Sequence, residues 1–400
     1  MKKTLILFLI FVITQNGYCQ EVSDYIFKAK AFTETGKPDQ AINLLNGIVN
    51  EMREYRLYTG RAEAKIEIGD YSGAISDYNE ANKIAASSGE YGLSRIYALK
   101  GDASTSLYHL ELNLNSSFRK GEKEIMLDPA FGSVENKTEW RQFWKKEWYS
   151  PIEKGISEIE YCLASGKKVE AEVVLNGIKK NYPDNEDIFY PEALIYLSSG
   201  KYSEVISIIS GLDESDRGRE KYLRVLAKAQ SGLSNYAGAS VTYSQLIDSG
   251  VPDAGLLILR AECYKKTGET DKALDDIEKY LEIYSGNKAA ISLAGKLEAV
   301  SGDNLKAIEY FSTNLKIHPN DPDCYIDRGD AYFISKSWDW AIKDYSMSLD
   351  LKPGNSDIWL NKGIALLNSG RVDDACHDFR KSFSMGNKKA SGFISNNCIK

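Results

Sequence analysis

The sequence has few of the residues that catalysis and metal binding need. Three of its 400 residues are histidine (His109, His318 and His377), far apart and without a motif neighbour to orient them. It contains no GxSxG, no HExxH, no GxxxxGK followed by Ser or Thr, and no GxGxxG in a strand-to-helix context. No enzyme activity, cofactor or resident metal is therefore expected. A basic excess is missing too: 50 Lys and Arg stand against 57 Asp and Glu, for a net charge of -7. Without a dense positive field, nucleic acid is not an expected partner. Nine Pro and 31 Gly are too few for a collagen-like or low-complexity chain.

Long apolar runs are scarce as well. Thr4 to Thr14 is apolar, but these 11 residues fall short of the roughly 20 that span a bilayer. With Lys2 and Lys3 before them and Gly17-Tyr18-Cys19 after, residues 1–19 read as a secretory signal cleaved before Gln20. Tyr18 argues against lipidation at Cys19, which wants a small residue there. An extracytoplasmic protein, periplasmic, envelope-associated or secreted, is the expectation. Cys162, Cys263, Cys324, Cys376 and Cys398 then remain, an odd number without CxxC or CxxH spacing. They are expected to be small buried apolar residues, with one bridge, Cys376 to Cys398, left open.

What the chain does have is a period. Gly166, Gly200, Ser234, Gly268, Gly302, Lys336 and Gly370 stand 34 residues apart, and Gly36, Gly69 and Gly101 mark three earlier units at spacings of 33 and 32. Apolar residues recur at three- and four-residue intervals on both sides of each marker, so each unit is expected to be two amphipathic helices joined by a turn at the marker. Asp323 to Ser335 and Trp338 to Leu351 form the clearest pair, and Pro183, Pro319 and Pro353 are expected to stop second helices. Five residues after the markers stand Ala41, Ala74, Ser106, Ala171, Val205, Ala239, Ala273, Ala307, Ala341 and Ala375. Seven before them stand Ala29, Ala62, Ser94, Ile159, Ala193, Ala227, Ala261, Gly295, Gly329 and Gly363. Two small columns held in phase imply closely approaching helices, where bulk would overpack the contact.

With Tyr325, Gly329, Tyr332, Trp338, Ala341, Tyr345 and Pro353 as its best unit, the chain resembles the tetratricopeptide repeat family. The units at Trp359 to Phe379 and at Tyr58 to Ala81 are similarly close. Arg328 and Lys362 depart from the pattern, occupying a column the family usually fills with Leu, and Pro191 interrupts a first helix. The resemblance implies an all-α right-handed solenoid of about ten helix pairs. Its expected parts are N-terminal repeats over 20–115, an irregular Trp-rich insert over 116–150, seven repeats in register over 151–386, and a capping helix within 387–400.

Two sets of residues are candidates for binding. In the insert, Trp140, Trp144 and Trp148 fall at i, i+4 and i+8, one aromatic stripe on a helix. It is either core filling a groove between imperfect repeats or an exposed platform for a glycan, lipid or partner helix. The other set follows from the resemblance, which implies a concave face lined by first helices. Lys221, Arg224 and Lys228 would make that face basic midway, and Asp323, Asp327 and Asp330 would make it acidic toward the C-terminus. Like charges a turn apart repel, so a partner of opposite charge is expected at each. With Asp321, the acids also pose a calcium question, but Asp321 and Asp323 sit where a helix N-cap and first turn favour acids. The expected function is a non-enzymatic scaffold binding protein or peptide segments. The alternative is a glycan- or envelope-binding module using Trp140 to Tyr149.

Overall fold

The computed structural model describes residues 22–251 and 253–398. The expected signal segment, 1–19, lies outside them. Every regular element among the described residues is helical. Ten pairs follow one another, beginning with α1 (22–34) and α2 (Pro38–Asn46), α3 (Tyr55–Glu67) and α4 (Tyr71–Ile84), and α5 (Glu90–Leu99) and α6 (Ala103–Leu114). Two short helices, α7 (Glu122–Met126) and α8 (Thr138–Phe143), occupy the irregular segment. Pairing resumes with α9 (Pro151–Ala164) and α10 (Lys168–Asn181), then α11 (Phe189–Ser198) and α12 (Tyr202–Gly211). After the single turn of α13 (Glu214–Arg217) come α14 (Glu220–Gly232) and α15 (Tyr236–Asp248), then α16 (Gly255–Thr267) and α17 (Thr270–Ile283). The last pairs are α18 (Lys288–Ser301) and α19 (Asn304–Ile317), α20 (Pro322–Ile334) and α21 (Trp338–Leu351), and α22 (Ser356–Asn368) and α23 (Val372–Ser384), closed by α24 (Ala390–Asn397). The chain forms two compact units, one running to Leu256 and one from Leu257.

The marker residue is a left-handed helix cap. All ten markers have positive φ, including Ser234 and Lys336 at 59° where glycine is absent. In each unit the N–H one residue after the marker donates to the carbonyl five residues earlier, at 2.7–3.0 Å, as Ser337 does to Tyr332 and Asp303 to Glu298. This six-to-one closure satisfies carbonyls that a helix end leaves open, and it is the same whether or not the cap is glycine. The second helices α10, α19 and α21 end two residues before Pro183, Pro319 and Pro353. Pro191 does not break α11, because it sits in the first turn, where no intrahelical N–H is lost.

Both small columns are core. The ten residues five after the markers are all fully buried, Ser106 and Val205 among them. At Gly295, Gly329 and Gly363 an added Cβ would stand 2.5, 2.9 and 2.6 Å from the rings of Phe311, Tyr345 and Phe379, each 16 residues on in the second helix. An aromatic ring lies directly on the first-helix backbone at these three positions, and only glycine leaves room for it.

The column that departs from Leu explains itself. Arg328 in α20 forks onto Asp344 in α21 at 2.7 and 2.9 Å, and Lys362 in α22 pairs with Asp378 in α23 at 3.2 Å. Arg61 with Asp77 and Arg260 with Asp276 repeat the geometry at the same 16-residue interval. All four aspartates are buried, so each must have its cation. Four units thus clamp their two helices with an ion pair at this column.

Candidate functional site

The first helices carry the residues expected to meet a partner. On α14 in the unit ending at Leu256, Lys221 lies 3.9 Å from Asp187 and packs its ammonium over the rings of Tyr190 and Tyr222, each centroid 5.1 Å away. Arg224 holds Glu220 and Asp253 at 2.8 Å each. Burial disfavours its charge, but these two hydrogen bonds outweigh that and hold its pKa above the usual guanidinium value. Two of the three cations thus already have carboxylates, from α14 itself and from segments on either side of it. Lys228, one turn further on, is exposed and has no ion pair among the described residues.

The acidic set behaves in the same way. Asp321 caps α20, accepting from the N–H of Asp323 at 3.0 Å, and meets the Lys288 ammonium at 2.5 Å. That hydrogen bond lowers the pKa of Asp321 and raises that of Lys288. Asp327 receives the Lys296 ammonium at 2.9 Å and the Ser292 hydroxyl at 2.5 Å. Asp330 accepts the Tyr345 hydroxyl at 2.6 Å, and burial, helped by the nearby Asp327 charge, pushes its carboxyl above the ordinary range. Asp323 alone of this set is exposed, and it has no ion pair among the described residues. No cluster of three or more His, Cys, Asp or Glu suited to a metal occurs among the described residues.

Between α18 and α20, with α19 behind them, these residues frame a pocket of about 280 Å³. Lys288, Ser292 and Lys296 line one side, Asp323, Cys324 and Asp327 the other, and Asn314 of α19 the back. Asn314 is 1% exposed. Its amide nitrogen donates to the Lys288 carbonyl at 3.0 Å, which fixes the amide orientation and leaves Oδ1 without a hydrogen-bond partner. A buried acceptor left unsatisfied costs about 1–3 kcal/mol. Cys324 is a buried thiol, its pKa pushed up to about 11 by burial. Sequence reading found the aspartates but not Lys288, Ser292, Lys296 or Asn314. The available signal was the 34-residue period itself, since Lys288 and Lys296 stand about one period before Asp321 and Asp327.

The aromatic stripe is not one helical face. α8 ends at Phe143, so no helix runs from Trp140 through Trp148, and α9 opens only at Pro151 after an extended Ser150. Trp144 becomes the C-cap of α8, and Trp148 doubles back, its indole N–H donating to the Phe143 carbonyl at 2.9 Å and its ring stacked on Phe143 at 4.6 Å. Trp140 is buried against Phe131, while Trp144 and Trp148 are half-buried in the same cluster with Leu110 and Ile125. Of the cysteines, Cys376 and Cys398 are bonded, Cα to Cα 5.5 Å, and Cys162, Cys263 and Cys324 are buried thiols. No helix among the described residues is long and apolar enough to cross a membrane.

Residues 254–287, which carry α16 and α17, match the family model of the tetratricopeptide repeat. DnaJ homolog subfamily C member 3 of Gallus gallus is 24% identical over 181 residues, a stretch covering 45% of this chain and 31% of that protein. Among solved structures, a tetratricopeptide repeat protein from Parabacteroides merdae is 21% identical over 62% of this chain and 99% of its own, with a TM-score of 0.45. MamA is 20% identical over 42% and 92%, with a TM-score of 0.38. YrrB, described as having an unusual peptide-binding site, is 15% identical over 49% and 97%, with a TM-score of 0.39. The matched unit at 254–287 is a tetratricopeptide repeat, and it is one of ten helix pairs sharing one turn closure and the same two packing columns.

Proposed function

We propose that this protein is a non-enzymatic extracytoplasmic scaffold whose first-helix faces hold an extended protein segment. The observation that carries the reading is the state of those faces: most charges are matched between neighbouring repeats, while among the described residues Lys228 in one unit and Asp323 in the other make no ion pair. Within each unit, stacked first helices offer a continuous surface of the kind repeat arrays use for binding. The bridge between Cys376 and Cys398 supports an oxidising compartment, where such bonds persist. It agrees with the signal-like residues 1–19, which would direct the protein out of the cytoplasm. No observation favours a glycan platform at Trp140, Trp144 and Trp148, since these rings are spent on their own cluster.

The test is affinity capture from envelope extract with wild type, Lys228→Glu, Asp323→Lys and Trp144→Ala proteins at low and high salt. Defined proteins retained by wild type and Trp144→Ala, but weakened by either charge reversal in a salt-dependent way, support the scaffold. Retention that ignores both reversals overturns the first-helix face as the binding surface. Mass spectrometry of the protein recovered from cells checks the compartment, through a mature N-terminus at Gln20.

A further inference from the structure

The pocket between α18 and α20 is charged, yet its four ions do not leave equal demands. Lys288 and Lys296 are matched by Asp321 and Asp327, and the Ser292 hydroxyl is donated to Asp327 as well. What remains is acceptor capacity only. Among the described residues the Asp323 carboxylate makes no ion pair, although the Lys288 ammonium feels its charge, and Asn314 Oδ1, in a residue lining the same pocket, has no donor. Both want N–H groups, and neither can serve a carboxylate or phosphate. A primary ammonium fits this pair: it carries three donors, no acceptor and a full charge at one point.

We propose that this pocket binds the primary ammonium of a protein segment, as a lysine side chain or a free amino terminus, between Asp323 and Asn314 Oδ1. The proposal rests on the reading that first-helix faces hold such a segment, and it adds the chemistry selected at one place. Lys288 and Lys296 give it discrimination. They line the same pocket and repel a second cation, so a group must satisfy both acceptors to stay.

The experiment follows the Asn314 side-chain amide resonance in the whole labelled protein at low ionic strength, during titration with short glycine peptides. One peptide is blocked at both ends with a central lysine, and one is all glycine with a free amino terminus. Three further blocked peptides carry acetyl-lysine, arginine or glutamate at the centre. A saturable shift with the lysine peptide, the free-amine peptide or both is expected, and the comparison tells which source the pocket prefers. Asp323→Asn should weaken binding about threefold, as for an exposed charge pair. Asn314→Ser should weaken it about tenfold, as for a buried hydrogen bond. Serine keeps a donor for the Lys288 carbonyl, because Ser382 makes the same bond to the Ser356 carbonyl at 2.7 Å two repeats later, so the fold survives the change. No saturable shift, equal binding of the arginine, acetyl-lysine or glutamate peptide, or indifference to both variants overturns the proposal. Any of these with normal capture of partners in the preceding experiment would reject the ammonium site and leave the scaffold standing.

Discussion

At the scale of single residues, two kinds of position decide how well a unit closes, and they respond to glycine in opposite ways. Gly295 lies under the Phe311 ring, 2.5 Å from where a Cβ would be, so Gly295→Ala sets an overpacking cost of about 1–3 kcal/mol against a helix-propensity gain of about 1. The net expectation is a loss of up to about 2 kcal/mol, read as a lowered urea midpoint, and nearly abolished when Phe311→Leu is present. Lys336 and Ser234 hold left-handed φ without being glycine. Removing that strain is worth about 1–2 kcal/mol and the extra freedom of an unfolded glycine returns about 0.4–1 of it. Lys336→Gly should therefore raise the midpoint slightly, and an unchanged or lowered value would mean the turn carries no strain there.

At the scale of elements, the helix pairs were legible because their cause is periodic and local. Marker, small column and stop-proline all express contacts between residues less than one unit apart, so α20 and α21 emerge within a residue of the reading Asp323 to Ser335 and Trp338 to Leu351. The site was less legible because its partners stand a whole repeat away. On α14 alone Lys221 looks like bare charge and Arg224 has only Glu220, and Asp187 and Asp253 on neighbouring segments complete the set. The Trp segment misleads for a related reason: i, i+4, i+8 spacing describes a helix only if the backbone continues, and here it folds back. Of the ion pairs at Arg61, Arg260, Arg328 and Lys362, only Arg328 and Lys362 stood out as departures in the sequence, and none as a pair. Asp344→Ala should cost about 3–5 kcal/mol by leaving Arg328 uncompensated, whereas Arg328→Leu with Asp344→Leu, apolar as most other units are at one or both positions, should be close to neutral. Equilibrium unfolding of both variants checks this, and equal losses would show that the pair contributes more than mutual satisfaction.

At the scale of the whole molecule, repeats that touch mainly their neighbours turn a local bond into a local effect. The bridge from Cys376 to Cys398 ties α24 onto α23, where Phe393 stacks on Phe379 at 5.0 Å and Ala390 is fully buried. α24 has eight residues and no side-chain N-cap, so its own propensity is too weak to hold it in water. The bond closes a separation of 22 residues, for which restricting the unfolded chain stabilises by about 3 kcal/mol. Reduction should then free α24 and expose the apolar face of the last pair, since a solenoid needs its terminal cap. In hydrogen exchange, reduced protein should lose protection through α24 and α23, less through α22, and not at all in α3 to α6. A Cys376→Ser, Cys398→Ser variant should reproduce that gradient without reductant. A uniform loss along the chain would show that the repeats unfold as one body, and an unchanged C-terminus would show that packing of Phe379 against Phe393 holds the cap without the bond.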